Sequence, residues 1–164
     1  MTEPTYPPRS GDERAILESY RDWYRDALLR KIAGLSDADL KRRLVASETT
    51  LFGIVHHLAY VERWWFQDVF AGLGCEYPWT DEDPNAEFHV EGTISSEEAV
   101  ELYMGEYEIS KRIVSEADLD DFAKHEDFQD MNLRRIVVHM IEETARHTGQ
   151  ADIIREQIDG TIGP

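Results

Sequence analysis

Residues 132–160 read NLRRIVVHMIEETARHTGQADIIREQIDG, and this stretch decides the fold. Asn132 is a good N-cap, because its side-chain oxygen can accept from the free N–H groups of a first turn. Gly160 is a matching stop. Between them Leu133, Ile136, Met140, Glu143, His147, Gln150 and Ile154 recur at steps of three and four. That is the spacing of a helix face turned toward a core, so a long helix to about Ile158 is predicted. Three consecutive members of the seam are polar, and each is costly to bury without a partner.

Working outward, three more long helices are expected. One runs from Asp12 to about Ile32, with Ile16, Tyr20, Trp23, Ala27 and Leu28 at helical spacing and Gly34 after it. A short piece capped by Ser36 follows. The second long helix spans about Glu48 to Ala71 on a stripe of Leu51, Ile54, Val55, Leu58, Val61, Trp65 and Val69, with Gly72 and Gly74 as stops. Ser95 and Glu98 form a capping box that opens the third, which runs to about Ala117 with Val100, Tyr103, Tyr107, Ile113 and Val114 inward. Residues 1–11 read as an irregular arm, and 12–164 as one domain. Residues 72–94 and 118–131 read as acidic connections. No run alternates at period two. The expected fold is all-α: a four-helix bundle, up-down-down-up, with a long crossover between the second and third long helices.

The chain has 164 residues, which suits one domain of roughly 100–150 residues. It carries 34 Asp+Glu against 17 Lys+Arg, a net charge of -17. Such a surface repels phosphate and anionic lipid, so neither nucleic acid nor membrane is an expected partner. The longest stretch without formal charge, Thr49 to Val61, is too short to span a bilayer. The N-terminus lacks the basic start and apolar core of a signal peptide. The single cysteine, Cys75, fits a reducing cytoplasm; its acidic loop should raise its pKa, and it reads as incidental.

The chemistry is expected on the polar seam. Glu143 and His147 stand one turn apart on one face. A carboxylate and an imidazole so placed can share a metal ion, with further ligands from another helix or water. At 100° per residue His57 falls at the border of the second helix's apolar stripe, whereas His56 falls on the solvent side with Arg63 and Gln67. His57, Glu143 and His147 thus offer two nitrogens and one oxygen, the ligand set of catalytic zinc sites. The plainer reading is a core-border histidine and a Glu143 paired with His147, Arg63 or Arg134. His139, one turn before Glu143, reads as a packing group or a support for a ligand. Glu62 lies on the apolar stripe, and a buried pair with an arginine is its plainer role. Gln150 could bond a ligand or a water. Trp64 and Tyr60 could wall a pocket or simply pack. His89 and His125 stand among acids and read as solvated.

The segment GIVHHLAYVERWWF (residues 53–66), with the stretch quoted first, resembles the DinB/YfiT-like superfamily of metal-dependent bundle proteins. The match is sharpest in its actinobacterial branch, on the pattern His139-Met-Ile-Glu-Glu-x-x-Arg-His147. The resemblance implies the up-down-down-up bundle and a divalent metal, zinc first and nickel second. It carries two ligand positions onto His57 and His147. The middle position, often histidine, is Glu143 here, as in the mycothiol-dependent maleylpyruvate isomerases of that branch. Those isomerases have a further C-terminal domain that contributes to their site; this sequence ends at Pro164, so maleylpyruvate isomerisation is not expected.

By resemblance the expected activity is thiol S-transfer, with a low-molecular-weight thiol such as mycothiol as co-substrate and a small electrophile as acceptor. A homodimer is a further expectation. Three alternatives stay open from the residues. The same ligands suit a hydrolase using metal-bound water, and also non-haem iron. A non-enzymatic acidic bundle could use the polar seam only for specificity. Among the acids of the chain Glu143 is the one expected to carry chemistry, because it lies on a core seam beside His147.

Overall fold

Each helix begins where the sequence supplies an oxygen to cap it. Asp12 accepts from the Ala15 N–H and opens α1, Glu13–Ile32. Ser36 accepts from Asp39 and opens α2, Asp37–Leu40. Thr50 accepts from Gly53 and opens α3, Leu51–Glu62. The Ser95–Glu98 capping box opens α4, Ser96–Glu116. Asn132 accepts from Arg135 and opens α5, Leu133–Asp159, which ends at Gly160 in the left-handed conformation (φ 76°). This computed structural model describes residues 6–89 and 94–163. Residues 1–5 of the expected arm, residues 90–93 of the expected crossover and Pro164 lie outside the described residues. Among the described residues there is no strand, only an isolated bridge between Phe122 and Asn132.

The packing is all-helical. α1 lies mainly on α5, α3 mainly on α4, and α3 also touches α5. Two core clusters divide the interior. One joins Leu28 and Ile32 at the end of α1, Leu51–Leu58 at the start of α3, Tyr103 near the start of α4 and Ile154 near the end of α5. The other joins Phe66–Phe70, Val114 near the end of α4 and Leu133–Met140 at the start of α5.

The second long helix departs from expectation past Glu62. Residues Arg63–Phe70 are π-helical, with the Ala71 N–H reaching back five residues to the Phe66 carbonyl. The wider turn shifts the facing by about one residue. Gln67, on the solvent side by the ideal period, is thereby turned inward, while Phe66, four residues after the buried Glu62, is the fully buried aromatic of this segment rather than Trp65.

The charged interior was only partly foreseeable. Arg21 of α1 is buried, whereas Tyr20 beside it is 40% exposed. Arg21 Nη2 donates to Glu62 Oε2 at 3.1 Å and its guanidinium lies over the Phe66 and Tyr107 rings at 4.5 and 5.0 Å. Burial pushes the Glu62 carboxyl up, outweighing the pull of Arg21. A second buried acid, Glu106, accepts from Arg63 and Gln67.

Gly53 sets one close approach. A Cβ there would meet Phe88 Cδ1 at 3.2 Å and the Phe88 carbonyl at 3.4 Å. The missing side chain lets the 3-10 turn Ala86–Phe88, from the long connection, lie directly on α3. That turn carries Glu87 into the site described below. Gly53→Val is therefore expected to push the turn off while leaving helix content unchanged. The check is hydrogen exchange of residues 86–89, expected to quicken while the amides of α3 stay protected.

Candidate metal centre

The α5 seam is buried at Leu133, Ile136, Met140 and Ile154 but only half-buried at Glu143, His147 and Gln150. His57 of α3 faces that polar gap. Its Nε2 stands 3.3 Å from Glu143 Oε1, and His147 Nε2 stands 3.1 Å from the same oxygen. One ligand atom from each of the three residues falls within 4.8 Å of the others. Neighbouring ligands of a tetrahedral ion with bonds of about 2.0–2.1 Å stand about 3.3 Å apart, so both nitrogen–oxygen separations fit such an ion. Glu143 pairs with neither Arg63 nor Arg134; these are taken by Glu106 and by Glu13 and Asp120.

The other ring nitrogens are also committed. His57 Nδ1 lies 3.1 Å from Glu87 Oε1, and His147 Nδ1 lies 2.9 Å from Gln150 Oε1. Without an ion the Nε2–H groups can donate to Glu143; with one bound, donation from each Nδ1–H would hold the ring in the tautomer whose Nε2 lone pair faces the ion. Phe88 stacks on His57, centroids 4.6 Å apart, and fixes the ring plane.

Glu87 is the residue that sequence reasoning missed. It sits in a connection read as a solvated acidic shell, yet it is 5% exposed. Its backbone carbonyl also accepts from His56 at 2.7 Å. No helical periodicity marks it. Its only signal is the aromatic residues, Trp79 and Phe88, interleaved with the acids.

His56 corrects a second expectation. It is 6% exposed rather than solvent-facing, because the long connection covers that side of α3. Tyr60 meets the His56 ring edge-on at 5.1 Å and the Trp79 ring at 5.8 Å. Trp64 packs against Tyr77, Phe128 and His125, so His125 is partly covered rather than fully solvated. His139 packs edge-on to Trp65 at 4.7 Å and lies near Glu142, without a bond to His57, Glu143 or His147. Glu62 is engaged with Arg21.

The electrostatics follow from this geometry. Hydrogen bonds from His147 and His57 outweigh burial and hold the Glu143 carboxyl well below the usual carboxylate range. Burial opposes charge on His57, but its bonds to Glu143 and Glu87 prevail and raise its pKa above the ordinary histidine value. Burial pushes His56 the other way and raises the Cys75 thiol. A raised His57 pKa means that protons compete with a metal to higher pH than at an ordinary histidine. Metal affinity is thus expected to fall as pH drops through that raised value. Calorimetry of zinc uptake in two buffers of different ionisation heat, at pH 6 and 8, should show more protons released at pH 6.

Beside His57 opens a cavity of about 260 Å³ lined by Val61, Trp64, Trp79, Pro84 and Glu87. A larger groove of about 640 Å³ opens between α1, α2 and the start of α4, and includes none of the three donors. Among the described residues no helix is long and apolar enough to cross a membrane.

A solved structure, of a conserved protein from Enterococcus faecalis, superposes with a TM-score of 0.67. The two share 13% identity, over 93% of this chain and 100% of that one; at that identity the likeness is one of fold. No curated protein sequence matches. The sequence model of the mycothiol S-transferase family matches residues 16–160, in keeping with the DinB/YfiT-like resemblance of the motifs. That match spans the whole of both helices that carry the site, and the protein belongs to the mycothiol S-transferase family.

Proposed function

We propose that the protein is a metal-dependent thiol S-transferase, joining a mycothiol-type thiol to a small electrophile in a reducing cytoplasm. The observation that carries this reading is the convergence of His57, Glu143 and His147 beside an open, largely apolar cavity. His57 Nε2, His147 Nε2 and one Glu143 oxygen would hold the ion, zinc first and nickel second. When bound, a divalent cation supplies the positive charge that lets a thiol lose its proton near neutral pH. Glu87 and Gln150 hold the two imidazoles in register. Glu143 lowers the net charge of the site. Trp64, Trp79 and Val61 keep water from one side. With a chloroketone acceptor the sulfur–carbon bond forms as the carbon–chlorine bond breaks, chloride leaves with the electron pair, and the thiol proton passes to buffer.

We further propose that the four long helices, with α3 extended by its π-helical part, form a bundle in up-down-down-up order. The two core clusters support this. One gathers the end of α1 and of α5 with the start of α3 and of α4, and the other gathers the opposite ends.

Metal analysis of the purified protein, with conjugation of mycothiol to 2-chloroacetophenone, tests the activity. Near-stoichiometric metal and turnover that is lost on chelation and restored by zinc are expected. Protein that takes up no metal on titration would overturn the reading. Ester hydrolysis that needs no thiol would favour the hydrolase instead.

A further inference from the structure

The carboxylate of Glu87 is only half used. Its Oε1 accepts from His57 Nδ1, while its Oε2 is buried and has no hydrogen-bond partner. A buried acceptor left unpaired is costly, so the group waits for a donor. The residue lines the cavity beside His57 together with Trp64, Trp79, Val61 and Pro84. Neither Lys nor Arg lines that cavity.

The walls are held in place. Trp79 stacks on Tyr77 with centroids 4.5 Å apart and planes at 17°, and Tyr77 also meets the Trp64 ring at 5.5 Å. Tyr77 donates in turn to Asp68 Oδ2 at 3.1 Å. Two indoles fixed through one anchored tyrosine offer flat apolar platforms at little ordering cost on binding. At about 260 Å³ the cavity is below the usual range for drug-sized ligands and suits a single small ring system.

We propose that this cavity is the acceptor pocket, and that it selects a small, flat, neutral electrophile bearing one hydrogen-bond donor, which Glu87 Oε2 receives. An acceptor that carries an anionic group in place of that donor is rejected, because its charge would face the Glu87 carboxylate on a wall without Lys or Arg. The inference rests on the S-transferase reading for the name of the ligand, and on Glu87 for its chemistry.

The test uses the zinc-loaded protein and three acceptors: 2-chloroacetophenone and its 4-hydroxy and 4-carboxy derivatives. Their unreactive parents, acetophenone, 4-hydroxyacetophenone and 4-acetylbenzoate, serve for binding by calorimetry. The hydroxyl compound is expected to lead the plain ring by about tenfold in both kcat/KM and affinity, the value of one added hydrogen bond to a charged group. The carboxylate should trail both. In Glu87→Gln, with zinc content checked, the hydroxyl advantage should shrink to near onefold and the carboxylate should gain. Trp79→Ala should weaken all three parents alike. Equal binding of the three parents, or an unchanged order in Glu87→Gln, overturns the pocket. The expected order in calorimetry, with no conjugation of any acceptor, keeps the pocket and overturns the transferase reading instead.

Discussion

Glu143→Ala is expected to abolish stoichiometric zinc binding and, with it, thiol conjugation. The carboxylate contacts both histidine nitrogens, at 3.3 and 3.1 Å, so its loss removes one donor and frees the other two from their common point. Substituting a group that merely orients a ligand costs roughly 10–100-fold in metal affinity; removal of a ligand itself should exceed that range. Glu87→Gln, which leaves all three donors in place, should fall inside it. His139→Ala is the control, because His139 packs on Trp65 and bonds none of the three donors. Zinc content after dialysis, with affinity by chelator competition, orders the variants. Retention of tight, stoichiometric zinc by Glu143→Ala would remove the proposed centre.

The second large effect concerns stability. Arg21→Met should cost about 3–5 kcal/mol, the range for breaking one side of a buried ionic pair. For a chain of this length that is a fall of roughly 10 °C in Tm. The methionine can keep the apolar contact with Phe66 and Tyr107, but Glu62, 2% exposed, loses the guanidinium at 3.1 Å. The loss should depend on pH. Glu62 already has a raised folded pKa from burial, and removing Arg21 raises it further. Stability contributed by a raised carboxyl is present below its unfolded pKa and fades as pH rises through the folded one. Arg21→Met should therefore be less damaging at pH 5 than at pH 8. Adding Glu62→Leu should recover most of the loss, because no charge is then stranded. Thermal melts of the four proteins at both pH values form the cycle. Additive losses would show that the pair is not coupled.

Legibility in the sequence tracked how local each feature is. The caps at Ser36, Ser95 and Asn132 and the seam from Leu133 to Ile154 were readable, because a cap and a helical face each depend on residues within a few positions of one another. Glu143 and His147 share that property. His57 could be placed on its face only as far as the ideal period holds, and its neighbour His56 was placed wrongly. The angular rule gives the side of a helix but not what lies over it, and here a connection remote in sequence covers the side it called solvent.

By itself, the sequence determined the helical segments, most of their ends, the excess of acidic over basic residues, and the three polar residues on the α5 core face. Only the tertiary structure decided which acids leave the solvent. Glu87 and Glu106 are as ordinary in sequence as their exposed neighbours, and Glu62, marked by its place on the apolar stripe, gave no sign of which arginine would meet it. They are buried because Arg21, His57 and the Arg63–Gln67 pair meet them from other segments. Burying a carboxylate is tolerable only beside such a partner. The partner is supplied by packing between helices and loops, and no period along the chain encodes it. The π-helical turn at Arg63–Phe70 belongs with these features, since it rotates the face that the period of α3 would continue.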